Sequence, residues 1–86
     1  MKFRVSWTET AEQNLAAVWI AAAARNAITS AAHLIDTELA EDPQEKGALR
    51  FDTVRTLVVS QLGVDFEVVE ADCRVFVLSV WDTTQN

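Results

Sequence analysis

Polar and apolar residues alternate through Lys2-Phe3-Arg4-Val5-Ser6-Trp7, so Phe3, Val5 and Trp7 share one side. That alternation predicts a strand with one face on a core. Thr8 then offers a side-chain oxygen to the free N–H groups of a following helix. Glu9 and Glu12 place negative charge in its first turn, where the helix dipole favours it. Apolar positions recur at helical spacing through Ala11, Leu15, Val18, Trp19 and Ala22. A second stripe runs through Ile28, Ala31, Ala32, Ile35 and Leu39 and continues to Asp42, just before Pro43. The residue before a proline resists helical geometry, which sets the expected end of the second helix. One continuous helix of about 34 residues would extend ~50 Å, too long for so small a domain. A hairpin of two helices bent near Ala24-Arg25-Asn26 is therefore predicted, with Trp7 and Trp19 on core stripes.

Asp42-Pro43-Gln44-Glu45-Lys46-Gly47 reads as a loop. Beyond it the period changes to two and β-branched residues take over. Strands are predicted over Val54–Ser60, Val64–Val69 and Val75–Trp81, with turns at Leu62-Gly63 and at Glu70-Ala71-Asp72-Cys73. The last strand is apolar on both faces, which suits a central place in a sheet. Thr83 to Asn86 reads as a polar tail. The predicted fold is α+β in the order β-α-α-β-β-β: a helical hairpin packed on a small, mainly antiparallel sheet, in a single domain spanning 1–86.

Composition narrows the function classes. Eighty-six residues, half of them hydrophobic, can bury a two-layer core without staples. A single cysteine, Cys73, excludes an internal disulfide and a Cys-only zinc site. The longest uncharged stretch, Gln13 to Ala24, is too short to span a bilayer. No apolar signal core follows the charges at the N-terminus, so a cytoplasmic protein without membrane association is expected. Thirteen acids against seven bases, a net charge of −6, disfavour direct nucleic-acid binding. No cofactor loop or metal-ligand spacing is present, and no cofactor or metal is expected.

The ordered fragments resemble the RelE/ParE superfamily of bacterial type II toxin–antitoxin toxins. The likeness rests on Phe3-Arg4-Val5-Ser6-Trp7-Thr8-Glu9-Thr10-Ala11-Glu12 with Leu15 and Trp19, where that family runs a strand into "W-T-x-x-A-E-x-x-L". It continues through Ile35-Asp36, Leu39-Ala40-Glu41-Asp42-Pro43 and Gly47, then Val54-Arg55-Thr56-Leu57 and Gly63-Val64-Asp65-Phe66-Glu67-Val68. It ends with Arg74-Val75-Phe76-Val77-Leu78-Ser79-Val80-Trp81. The resemblance implies one of two activities. RelE-like members cut messenger RNA in the ribosomal A site without metal, through basic and aromatic side chains; ParE-like members poison DNA gyrase. It also implies a cognate antitoxin that wraps the toxin, and a plasmid-stabilisation type of role.

Arg55 falls at the position of the family's arginine on the strand after the loop. It is the first candidate catalytic residue, since a guanidinium there clamps a phosphate bidentately; the alternative is a pair with Asp65 or Glu67 across the hairpin. Arg50, with Lys46, lies where RNA-cleaving relatives carry basic residues, but Glu45 and Asp52 surround them. Arg74 beside Asp72 reads as a charge that stabilises a turn. His33, the one histidine, reads as a surface residue, and Asp36, Glu38, Glu41, Asp42 and Glu45 as a solvated face. Ribonuclease relatives end the last strand with a basic residue or histidine and a tyrosine. This chain has Ser79-Val80-Trp81-Asp82 there and no tyrosine. Tryptophan cannot exchange a proton in acid–base work, so the resemblance leans to the ParE-like side. Trp81 is the candidate partner-binding residue, as tryptophan is enriched at interface hot spots. The rival expectation is a non-toxic remnant of the fold that serves as a protein-interaction or dimerisation module. Oligomeric state is open on either reading.

Overall fold

A computed structural model describes residues 2–84; Gln85 and Asn86 of the expected polar tail lie outside the described residues. The elements run β1 (Arg4–Trp7), α1 (Glu9–Ala21), α2 (Arg25–Ala40), a 3-10 turn (Pro43–Glu45), β2 (Ala48–Phe51), β3 (Val54–Val59), β4 (Leu62–Val69), a second 3-10 turn (Glu70–Asp72) and β5 (Arg74–Asp82). The strands form one sheet in the order β1-β5-β4-β3-β2. Every pairing is antiparallel except β1 with β5. The fold is thus α+β, two helices on one face of a mainly antiparallel sheet, as expected. The first strand lies at an edge, beside the last.

The core is the inner layer between helices and sheet. Ala11 of α1 and Ile28, Ala31, Ile35 and Leu39 of α2 meet Leu62, Val64, Phe66, Val75, Val77 and Val80. Val5 and Trp7 of β1, and Phe3 just before it, pack against this cluster as their alternation demands. Thr8 caps α1: its Oγ1 accepts the Ala11 N–H at 3.1 Å.

The helical hairpin turns where expected, through Ala22, Ala23 and Ala24, although alanine itself gives no stop signal. Arg25 supplies one. Its Nε donates to the Trp19 carbonyl at 3.2 Å and its Nη2 to the Ile20 carbonyl at 3.1 Å, so α1's last turn is closed from the next helix. The end of α2 is treated alike: Lys46 Nζ donates to the carbonyls of Glu38 and Glu41 and pairs with the Glu38 carboxylate at 3.1 Å. Neither helix has a basic residue in its own last turn, so both cations come from outside it. With largest extents of 39 × 23 × 21 Å, the molecule has no room for a single ~50 Å helix.

Three expectations are corrected. A further strand, β2, precedes the three read from the sequence, and all four of its residues are exposed, so it carries no buried face to give a pattern. The turn between β3 and β4 falls at Ser60-Gln61, with Ser60 at φ 56, and not at Leu62-Gly63. Gly63 lies inside β4 because Trp81 covers it: a Cβ there would sit 2.6 Å from Trp81 Cζ2. Trp19 is not core. It is 42% exposed on the outer side of α1, with the Arg25 guanidinium 4.7 Å from its ring centroid.

The last strand is interior, flanked by β1 and β4, while β4 holds the middle place. A bulge adjusts it: Asp65 opposes Ser79 and the next residue, Phe66, opposes Val77, leaving Leu78 over. The bulge lets Val77 and Val80 both face the helices. β1 ends opposite Val77, and α1 serves the backbone beyond it. Thr8 N–H and Oγ1 donate to the carbonyls of Val77 and Leu78, and Asn14 Oδ1 accepts the Val80 N–H.

Candidate functional site

Among the described residues, no helix covers the second face of the sheet. Alternation puts Gly63, Asp65 and Glu67 of β4 there, opposite Trp81, Ser79 and Phe76 of β5 and Val58, Thr56 and Val54 of β3. At its centre lies a carboxylate. Asp65 is only 9% exposed and accepts from Thr56 Oγ1 at 2.7 Å, from Ser79 Oγ at 3.2 Å and from Arg50 Nη1 at 2.6 Å. A buried acid needs such donors, since an unpaired carboxylate away from water is costly. Arg50 reaches it from exposed β2, with its guanidinium 6.0 Å from the Trp81 ring centroid and 5.9 Å from that of Phe51. Beside this group, Thr53 Oγ1 donates to the Glu67 carboxylate.

The candidates read from the sequence divide accordingly. Arg50 and Trp81 come together on the open face. Arg55 does not join them: it stands opposite Phe66 in register, on the other side of β3 from Thr56. Its Nε donates to the Lys46 carbonyl at 2.9 Å and its Nη2 to the Gly47 carbonyl at 3.3 Å. Arg55 therefore steadies the loop before β2 and pairs with neither Asp65 nor Glu67. Gly47, at φ 63, is required in that loop, because a Cβ would run into the Thr56 carbonyl. Arg74 reaches across to β1, donating to Ser6 Oγ at 3.1 Å, and makes no ion pair with Asp72.

Asp65 went unremarked as a site in its own right. The signal was present, for it alternates with Val64 and Phe66 and so had to face away from the core. Chemically, the centre of the face holds a negative charge whose donors are already engaged. A phosphodiester approaching it meets like charge, and the Ser79 and Thr56 hydroxyls are both turned to Asp65 as its donors.

A second feature lies on the helical side. Between the outer flanks of α1 and α2 runs a groove of about 730 Å³ lined by Leu15, Ala16, Trp19, Ile20, Ile28 and Ala32. Glu12, Thr29, His33, Asp36 and Trp7 complete its lining. The Trp7 indole N–H donates to Asp36 Oδ1 at 2.6 Å, tying β1 to α2. Asp36 is thereby engaged with Trp7, while His33 is exposed on the same helix. Ile20 is 65% exposed and Trp19 42%, an apolar surface that no element among the described residues covers. No helix among the described residues is long and apolar enough to cross a membrane.

No protein-family profile matches the sequence, and no curated protein matches it. Solved structures do. A chain of the RelBE2 toxin–antitoxin complex of Mycobacterium tuberculosis superposes with a TM-score of 0.78 at 15% identity, over 95% of this chain and 99% of that one. The chromosomal ParDE system of P. aeruginosa matches at 0.68 and 19% identity, over 94% and 96%. The isolated E. coli RelE toxin matches at 0.63 and 21% identity, over 100% and 88%. The fold of this chain is the one RelE and ParE share.

Proposed function

We propose that this chain is the toxin of a type II toxin–antitoxin pair, ParE-like in action and not an efficient ribosome-dependent ribonuclease. The fold it shares with RelE and ParE supports the first part. The observation that carries the second is Asp65: the face that lacks a helix has a buried carboxylate at its centre, already bonded by Arg50, Thr56 and Ser79. Such a centre disfavours a phosphodiester and its anionic transition state. The antitoxin, on this reading, lays an amphipathic helix in the apolar groove between α1 and α2, with Trp19 and Ile20 as anchors. Trp81 contributes to a second contact on the open face. DNA gyrase is the target under this reading, and the setting is cytoplasmic.

Induced expression of the chain without a partner tests the reading. Growth arrest with gyrase-linked DNA breaks is expected. Arrest with messenger cleavage in the ribosomal A site would move the chain to the RelE-like branch, with Arg55→Ala and Arg50→Ala as the variants to try first. Normal growth at good expression would favour the second reading, an interaction module without toxicity. The exposed groove and the acid-centred face fit that reading as well.

A further inference from the structure

Four of the seven bases are engaged away from the start of β1. Arg25 closes α1, Lys46 closes α2, Arg50 meets Asp65, and Arg55 holds the loop before β2. The other three, Lys2, Arg4 and Arg74, line one hollow of about 710 Å³ at the start of β1 and β5. Phe3, Asp72 and Cys73 complete that lining.

The arrangement is electrostatically unfavourable by itself. Arg4 and Arg74 are direct partners in the parallel β1–β5 register, so two guanidinium-bearing residues stand side by side on the same face. Like charges placed so are destabilising. Among the described residues, no carboxylate lies within ion-pair distance of Lys2, Arg4 or Arg74. Arg74 is held in place: Nη2 donates to Ser6 Oγ, and its guanidinium lies 5.4 Å from the Phe76 ring centroid. Its Nε is buried with no acceptor. Two arginines side by side and an exposed lysine in one hollow, none of them paired with a carboxylate, leave positive charge that an oxyanion would offset.

We propose that Lys2, Arg4 and Arg74 form a binding site for a carboxylate on a protein segment. Arg4, which is exposed, presents a planar fork that matches the two oxygens of a carboxylate, and Arg74 adds positive charge beside it. Nucleic acid fits less well, since a strand brings a phosphate with every nucleotide and needs a basic track. Here the basic patch is one hollow wide, with Asp72 in its lining and Glu67 and Asp65 on the sheet face beyond. The ligand therefore presents one or two negative groups to this corner and no more. The inference does not rest on the toxin reading, because it needs only the folded chain.

The test uses the full chain labelled with ¹⁵N, titrated at fixed ionic strength with acetylated tetraglutamate and, separately, with an oligothymidylate of equal charge. Tetraglutamate should shift the side-chain Nε–H signals of Arg4 and Arg74 along a saturating curve and leave that of Arg25 in place. Arg4→Gln, at an exposed position that keeps the amide spectrum dispersed, should weaken binding about tenfold. Absence of those shifts, undiminished binding by Arg4→Gln, or tighter binding of the oligothymidylate would each overturn the proposal.

Discussion

The indole of Trp81 lies on the backbone of Gly63, one strand across, so closely that β4 has no space for a side chain there. Trp81 is in this way both a wall of the open face and the cover of a strand interior. Gly63→Ala should lift the indole and break its approach to Arg50. The expected loss is about 1–3 kcal/mol, as for other overpacked sites. Urea unfolding followed by tryptophan emission would measure it; a variant as stable as the parent contradicts the placement.

Asp65→Ala should cost about 1–3 kcal/mol, since Thr56 and Ser79 lose a shared acceptor in a part-buried setting. Arg50→Ala should cost less, about 1 kcal/mol or below, because the guanidinium is half exposed and its pair with Asp65 is screened by water. A double-mutant cycle in denaturant would separate the pair from the hydroxyl bonds. Equal losses for the two single variants would mean that the ion pair, not the hydroxyl pair, holds the carboxylate.

Arg25→Ala removes two bonds to the final carbonyls of α1 and the stacking on Trp19. A loss of about 1 kcal/mol is expected, the usual scale for a helix cap. Arg25→Lys should recover little of it, since an ammonium lacks the fork that reaches both carbonyls. Thermal unfolding by circular dichroism gives the comparison, and full recovery by lysine would show that charge alone suffices.

The Asp82 carboxylate accepts the Thr84 hydroxyl at 2.6 Å and the Thr84 N–H at 2.8 Å. These bonds favour its charged form and hold its pKa below the ordinary carboxylate value. A lowered folded-state pKa means that the contribution to stability is present above the unfolded value of ~3.9. It is lost as pH falls through the lower, folded value. Carbon-detected titration should place Asp82 below a free aspartate, and Thr84→Val should bring it back toward the ordinary range.

How much of this was legible in the sequence follows from burial. Ile28, Ala31, Ile35 and Leu39 fall on one stripe and are all buried, and Val64 and Phe66 alternate as a one-faced strand must. β2 left no such trace, since Leu49 is 62% exposed and Phe51 55%. The Ser60-Gln61 turn was missed because glycine usually marks such turns, and here Gly63 answers to a tryptophan instead. Trp19 sat on a helical stripe at its margin, where one step around the helix separates core from groove. Arg50 and Trp81 could be named from the chain, but their meeting over Asp65 depends on the register of β5 on β4 and on the pairing of β2 with β3. Arg55 was visible as a residue, and its tie to the Lys46 and Gly47 carbonyls was not.

The parallel seam between β1 and β5 joins segments about as distant as this chain allows, with bonds such as that from Thr8 to Leu78 spanning 70 residues. The pairings among β2, β3, β4 and β5 close through short turns, so they can form as those residues emerge from the ribosome. β1 cannot. It is made before the other four strands and has no strand to lie against until β5 exists, and closing that loop carries the largest entropic cost in the sheet. Assembly therefore has a late step that seats Trp7 and, with it, the lower end of α1 and the Arg4–Arg74 corner. A nascent chain lacking β5 would leave the inner face of the sheet incomplete, so whatever this protein does begins only after its last strand has been translated.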